Sequence, residues 1–158
     1  MALTSFKGKV AIVYSSVTGN TEELVRMVAS CLQSRSMSTD LFQVEDFLRA
    51  NMDDYDGLVI GTYTWGNGEI PVEMRPVYQE IERQNVRELT TGVVGTGDSF
   101  YPSFCGAVDE FRDMLYVHTS LVATLKVELQ PQFKDYEKCE KLAELMIEKI
   151  QSQTYSTV

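Results

Sequence analysis

The sequence has few of the residues that build disulfide frameworks and metal sites. It contains three cysteines, Cys31, Cys105 and Cys139, and one histidine, His118. The cysteines form no CxxC pair and have no histidine cluster near them, so neither a disulfide framework nor a zinc site is predicted. We expect reduced thiols in a cytoplasmic protein.

The chain also lacks a long apolar run and a surplus of basic residues. No stretch approaches the ~20 apolar residues that span a bilayer, and the first seven residues hold no apolar signal core. Lys and Arg number 14 against 23 Asp and Glu, a formal net charge of −9. Because neutralising phosphates requires a basic face, this balance argues against binding to nucleic acid or an anionic membrane. A charged protein partner is expected to be basic.

What the sequence does contain is enough apolar residues for one compact domain. Of its 158 residues 44% are hydrophobic, and no linker, repeat or low-complexity tract divides residues 1–158. Short β-rich runs alternate with helical patterns throughout. The predicted strands are residues 9–14, 39–44, 57–62, 92–96 and 121–128, and the predicted helices are 21–34, 45–50, 75–84, 104–116 and 134–151.

Five alternating β/α units predict an α/β fold, a doubly wound parallel sheet with helices on both faces. The third helix is expected to begin near Arg75 with Pro76 in its first turn, because proline is not tolerated deeper in a helix. Ligands of such sheets bind beyond the carboxyl ends of the strands, where the strand order reverses. That rule points to the loops after Tyr14, Thr62 and Thr96.

The first loop, residues 15–21, lies between a strand and a helix, where free amides and the positive helix end attract an anion. Ser16, Thr18 and Thr21 add hydroxyl donors. The loop has no lysine or arginine, which excludes a Walker-type nucleotide site, and no GxGxxG spacing for a dinucleotide. A single terminal phosphate is the better ligand, and the alternative is a helix capped by Ser or Thr without a ligand.

The second and third loops combine aromatic residues with glycines. The second loop, residues 62–68, places the only tryptophan, Trp65, beside Gly66, and such a platform suits a flat heteroaromatic ring. Alternatively, Trp65 folds back onto the core. The third loop, residues 95–106, could close the other face of the ring, or it is an ordinary glycine-rich turn. Three such loops at three strand ends favour a ligand.

These loops resemble the phosphate loop and the two flavin loops of the flavodoxin family. The matching segments are Ser16-Val17-Thr18-Gly19-Asn20-Thr21, Thr64-Trp65-Gly66, and Gly97-Asp98-Ser99-Phe100-Tyr101 with Phe104-Cys105-Gly106. The resemblance implies non-covalent FMN binding and the flavodoxin-like strand order 2-1-3-4-5. The last strand lacks the roughly twenty-residue insertion of long-chain members, so the chain resembles the short-chain bacterial class.

The resemblance also implies which residues bind the cofactor. Ser16, Thr18, Asn20 and Thr21 would hold the phosphate, Trp65 and Tyr101 would stack on the isoalloxazine, and Asp98 and Cys105 would line its polar and ribityl edges. Val17 replaces a common hydroxyl of relatives, and Asn67 a common aspartate. The full set expected at the cofactor is Ser15, Ser16, Val17, Thr18, Gly19, Asn20, Thr21, Thr62, Tyr63, Thr64, Trp65, Gly66, Asn67, Thr96, Gly97, Asp98, Phe100, Tyr101, Phe104 and Cys105.

The function implied is that of a low-potential one-electron carrier rather than an enzyme. FMN would supply the redox chemistry and the protein its binding and electrostatics, with no catalytic residue and no metal. The expected electron donor is a reductase of the flavodoxin–NADP or ferredoxin–NADP type. The expected acceptors are redox enzymes whose basic docking surfaces contact Glu69, Glu73 and Asp98. The carrier is expected to be a monomer.

Three other functions compete with this interpretation. An FMN-dependent NAD(P)H:quinone reductase would need a nicotinamide and substrate pocket, and nothing beyond the flavin loops suggests one. An FMN protein dedicated to activating one partner enzyme shares the cofactor and remains open. A phosphorylated receiver domain would need acidic residues after the first and third strands, where Tyr14-Ser15-Ser16 and Thr62-Tyr63-Thr64 supply none.

Overall fold

The computed structural model describes residues 6–155, except for the side chains of residues 154 and 155. Strands and helices alternate along this part of the chain. The strands are β1 (Lys9–Tyr14), β2 (Ser38–Phe42), β3 (Gly57–Tyr63), β4 (Thr90–Gly97) and β5 (Ser120–Glu128). The helices are α1 (Asn20–Gln33), α2 (Val44–Arg49), α3 (Arg75–Gln84), α4 (Gly106–His118) and α5 (Phe133–Tyr155), with short 3-10 turns at Met52–Asp54 and Val72–Met74.

All strands pair in parallel, in the order β2-β1-β3-β4-β5. The α/β class and the predicted strand order 2-1-3-4-5 are therefore confirmed. Tyr14 pairs with Gly61, and Tyr63 pairs with Thr96. These pairings bring the carboxyl ends of β1, β3 and β4 side by side, so the three loops start from one edge of the sheet.

Different helices cover the two faces of the sheet. Alternate residues of a strand point to opposite faces, and each face has its own cluster of buried apolar side chains. One cluster joins Val13 and Ile60 to α2, α3 and α4, and the other joins Ile12 and Val59 to α1 and α5. The central strands are apolar on both faces because both faces are buried, as parallel sheets require.

Several predicted boundaries were right, and others were wrong for local reasons. Helix α3 begins at Arg75 with Pro76 in its first turn, as predicted, and α1 starts one residue before the predicted position. Strand β2 ends at Phe42 rather than at residue 44, because Val44 is buried against the core as the first residue of α2. Helix α4 begins two residues later than predicted, because Cys105 has a left-handed φ of 52°.

Strand β4 begins at Thr90 rather than at Gly92. Polar residues are tolerated in this buried strand because their hydroxyls have partners: Thr91 Oγ1 lies 2.7 Å from Thr119 Oγ1. At the other end of the fold α5 continues to Tyr155, beyond the predicted residue 151. Neither 3-10 turn was predicted from the sequence.

The three cysteines are free and buried. Burial raises the pKa of Cys105 to about 11 and that of Cys139 to about 12, so both thiols stay protonated at neutral pH. Their expected role as small core side chains is confirmed for Cys31 and Cys139. Over residues 6–155, the structure contains no helix that is both long enough and apolar enough to cross a membrane.

Candidate functional site

The first loop offers unpaired backbone amides at the start of α1. Glu23 closes the first helical turn by donating its amide to the Gly19 carbonyl at 2.9 Å. The amides of Val17, Thr18, Asn20 and Thr21 have no hydrogen-bond partner among residues 6–155. Free amides at the amino end of a helix form an anion site, and the helix dipole favours a negative charge there. The loop therefore fits a phosphate group.

Ser15 and Ser16 of the first loop make different hydrogen bonds within the protein. Ser16 Oγ accepts the amides of Gly19 (3.1 Å) and Glu22 (3.3 Å), so it caps α1 and its own hydrogen is left to donate. Ser15 uses both of its donors within the protein, the amide on the Gly61 carbonyl (3.2 Å) and the hydroxyl on Glu73 (2.9 Å). We conclude that Ser15 holds the loop in place and does not donate to a ligand.

Thr21 and Thr96 also bond to each other instead of facing solvent. Their hydroxyl oxygens lie 2.8 Å apart, and both residues are buried. This contact ties the first turn of α1 to the end of β4. Either hydroxyl can be the donor in this contact, so the assignment of the Thr21 side chain to the phosphate stays a prediction.

The second loop is a closed hairpin. Trp65 donates its amide to the Glu69 carbonyl (2.9 Å), and the Trp65 carbonyl accepts the amides of Gly68 (3.2 Å) and Glu69 (2.8 Å). Gly66 and Gly68 have φ values of 55° and 103°, which favour glycine. Trp65 is 62% exposed, so the alternative that it folds back onto the core is wrong.

Helix α4 anchors the second loop. Thr64 Oγ1 accepts the amide of Ala107 at 3.2 Å, and Glu110 accepts the amide of Ile70 at 3.3 Å. Gly68 and Gly106 are in direct backbone contact: a Cβ on Gly106 would lie 2.7 Å from the Cα and the carbonyl oxygen of Gly68. Glycine at position 106 is what allows this close approach.

The third loop forms a turn that presents two aromatic rings. Asp98 accepts the Phe100 amide with its side chain (2.9 Å) and the Tyr101 amide with its carbonyl (3.1 Å). Ser99 donates its hydroxyl to Glu128, which ties the turn to β5. Phe100 and Tyr101 are 88% and 59% exposed and pack edge to face, 6.1 Å between ring centroids.

A cleft of about 450 Å³ separates the second and third loops. Its volume lies within the range of about 300–1,000 Å³ that is usual for small-molecule sites. Every lining residue except Ser103 was predicted from the sequence, and Ser103 could have been found as a hydroxyl residue within the third loop. The lining residues are Thr64, Gly66, Asn67, Gly97, Asp98, Tyr101, Ser103 and Cys105.

Comparison with known proteins identifies the family. The family model described as Flavodoxin matches residues 12–142. Probable flavodoxin 1 of Bacillus subtilis (strain 168) is 36% identical over 138 residues, which cover 85% of this chain and 87% of the relative. The chain belongs to the flavodoxin family.

A solved structure and a second relative agree with this assignment. A flavodoxin of Streptococcus pneumonia TIGR4 superposes with a TM-score of 0.79 at 35% identity, covering 89% of this chain and 99% of that one. The flavodoxin of Maridesulfovibrio salexigens is 34% identical over 129 residues, covering 78% of this chain and 88% of the relative. Membership of the family implies a flavin cofactor and a role in electron transfer.

Several predicted residues of this flavodoxin do not reach the cleft with their side chains. Thr62 is fully buried and donates its hydroxyl to the Tyr63 carbonyl at 2.7 Å. Tyr63 donates its hydroxyl to Glu73. Phe104 packs against the core and borders a different cleft. Thr62 and Tyr63 lie at the end of β3 and Phe104 lies in the loop before α4, and all three side chains make their contacts within the protein.

The second cleft places lysines beside the first loop. It has a volume of about 740 Å³, and its lining includes Lys126, Lys134 and Lys138 together with Asn20 and the acids Glu128 and Asp135. Lys126 pairs with Asp109 at 2.9 Å, so part of this positive charge is already neutralised. The first loop itself has no basic residue, and the fold thus supplies nearby cations that the loop sequence did not predict.

Proposed function

We propose that this flavodoxin binds one FMN and carries single electrons at low potential from a reductase to acceptor redox enzymes. The observation that carries the proposal is the arrangement of the three loops at one sheet edge. Free amides of the first loop suit a phosphate, and the cleft between the second and third loops suits a flavin ring. When bound, FMN supplies the redox chemistry.

Each loop has a separate task in this proposal. The amides of Val17, Thr18, Asn20 and Thr21, with the hydroxyl of Ser16, bind the phosphate. The exposed rings of Trp65 and Tyr101 cover the two faces of the isoalloxazine and exclude water from it. A net charge of −9 makes the addition of further negative charge to the site unfavourable, which lowers the potential of the second reduction step.

Titration with FMN followed by anaerobic reduction tests the proposal. The purified chain is expected to quench the fluorescence of added FMN with a 1:1 end point. NADPH alone is expected to leave the bound FMN oxidised, and addition of a flavodoxin reductase is expected to reduce it rapidly. Absence of quenching would contradict the cofactor assignment, and rapid oxidation of NADPH without the reductase would favour a quinone reductase instead.

Electron transfer to a basic partner is expected to slow by about tenfold as ionic strength rises from 0.01 to 0.5 M, because salt screens electrostatic steering. Exposed Glu69 and half-buried Asp98 lie beside the cleft, whereas the carboxylate of Glu73 is held by Ser15 and Tyr63. The double variant Glu69→Gln/Asp98→Asn is expected to reduce the salt dependence in stopped-flow measurements. The control is Glu88→Gln, before β4 at the opposite sheet edge, which should leave the salt dependence unchanged; identical slopes for both variants would contradict local steering.

A further inference from the structure

Glu73 connects two loops of the site through one carboxylate oxygen. It lies in the 3-10 turn Val72–Met74, which follows the second loop. Its Oε1 atom accepts the hydroxyl of Ser15 at 2.9 Å and also the hydroxyl of Tyr63. Ser15 directly follows β1, and Tyr63 is the last residue of β3. Glu73 therefore joins the base of the first loop to the base of the second.

Glu73 is a charged group in a half-buried position. Burial opposes its ionisation, but hydrogen bonds from Tyr63, from its own backbone amide and from Ser15 outweigh burial, and the pKa of Glu73 lies below its ordinary value. Burial and the bond to Glu73 raise the pKa of Tyr63 to about 12, so Tyr63 remains the donor at neutral pH. Hydrogen bonds to an ionised acceptor are about twice as strong as neutral ones. The hydrogen bonds from Ser15 and Tyr63 to the Glu73 carboxylate are therefore stronger than hydrogen bonds between neutral hydroxyl groups would be.

The two partners of Glu73 stand just before the groups that would contact FMN. Ser15 directly precedes Ser16, where the backbone amides without a hydrogen-bond partner among residues 6–155 begin. Tyr63 precedes the exposed ring of Trp65 by two residues. Because the chain is short between each anchor and its contact group, a shift of the anchor moves that group. One carboxylate thus controls the phosphate end and the ring end of the site together.

We propose that Glu73 is a positioning residue that sets the spacing between the first loop and the second loop for FMN. This inference rests on the proposed function, since it concerns the same site. Glu73 does not line the cleft, and its carboxylate contacts Ser15 and Tyr63, so in this proposal it acts through these two residues. Its contribution to affinity therefore depends on both hydroxyls.

Dissociation constants for FMN and for riboflavin, which lacks the phosphate, test the proposal. Glu73→Ala is expected to weaken FMN binding by about tenfold, since it removes two hydrogen bonds to a charged group. Ser15→Ala cuts only the connection to the first loop and is expected to weaken FMN binding but not riboflavin binding. Tyr63→Phe cuts only the connection to the second loop and is expected to weaken both. Glu73→Gln, which keeps an acceptor oxygen but not the charge, is expected to recover about half of the loss, because neutral hydrogen bonds are about half as strong.

Two further measurements separate positioning from a general loss of stability. The effects of Ser15→Ala and Glu73→Ala on FMN binding are expected to be less than additive in the double variant, because both act through one hydrogen bond. Glu88→Ala removes the same charge at the opposite sheet edge and is expected to leave FMN affinity unchanged.

The outcomes distinguish this inference from the proposed function. If the wild-type chain binds FMN and Glu73→Ala binds it equally well, the inference is wrong and the proposed function stands. An equal loss of FMN and riboflavin affinity in Ser15→Ala, or full additivity with Glu73→Ala, would also overturn the inference. Ser15→Ala and Tyr63→Phe decide the question even if Glu73→Ala does not fold. Failure of the wild-type chain to bind FMN would overturn the proposed function itself.

Discussion

Gly106→Ala is expected to weaken FMN binding by tenfold or more and to lower the free energy of unfolding by about 1–3 kcal/mol, the usual cost of forcing a methyl group into a packed site. The new Cβ would lie 2.7 Å from backbone atoms of Gly68. A backbone cannot rotate away as a side chain can, so the second loop must move away from α4. That movement would also lengthen the 3.2 Å hydrogen bond between Ala107 and Thr64.

Helix propensity alone would predict the opposite result, a higher free energy of unfolding for Gly106→Ala. A measured decrease therefore indicates that the contact with Gly68 outweighs helix propensity. Alanine is more favourable than glycine in a helix by roughly 0.5–1 kcal/mol. A suitable control is Gly92→Ala, whose nearest neighbour would be the flexible Met146 side chain at 3.4 Å, away from the cleft. Urea denaturation and FMN titration of both variants check the prediction. A Gly106→Ala protein with unchanged affinity would show that the contact between the glycines does not hold the second loop.

Gly66→Ala is expected to make the first one-electron potential more negative by roughly 40–90 mV. An ordinary residue in the left-handed conformation costs roughly 1–2 kcal/mol. That free energy corresponds to the stated range of potential, because a tenfold change in the equilibrium constant of a one-electron step is about 59 mV. The Gly66 carbonyl would accept the hydrogen bond from the ring nitrogen that is protonated when a bound flavin is reduced. The Gly66 carbonyl accepts no hydrogen bond from residues 6–155, whereas the neighbouring Trp65 carbonyl already accepts two.

The same substitution is expected to change the affinity for oxidised FMN less. No proton then requires the Gly66 carbonyl to face the ring, so the loop can shift to relieve strain at its φ of 55°. Gly19→Ala is a matched control, because Gly19 also has a positive φ, 93°, with no atom within 4 Å of an added Cβ. It lies in the first loop and is expected to weaken binding without moving the potential. Redox titrations that give equal potentials for wild type and Gly66→Ala would place the acceptor elsewhere.

The order of strands and helices followed from the sequence because local patterns determine it. Apolar runs such as residues 57–62 form strands buried on both faces, and Pro76 limits where α3 can begin. Boundaries were less predictable where a distant partner decides them. Thr91 belongs to β4 because Thr119, far along the chain, binds its hydroxyl. The start of α4 depends on the left-handed conformation of Cys105, which its residue type does not predict.

The site residues, too, were determined partly by the sequence and partly by the tertiary structure. The sequence by itself determined which loops meet at the ligand edge and nearly all the residues of the cleft, because glycines, hydroxyls and aromatics directly after a strand carry a local signal. Only the tertiary structure decided which hydroxyls are free. Thr21 is paired with Thr96, and Ser15 with Glu73, across 75 and 58 residues of sequence. A hydroxyl donates a single hydrogen, and the packing of distant segments determines which acceptor receives it.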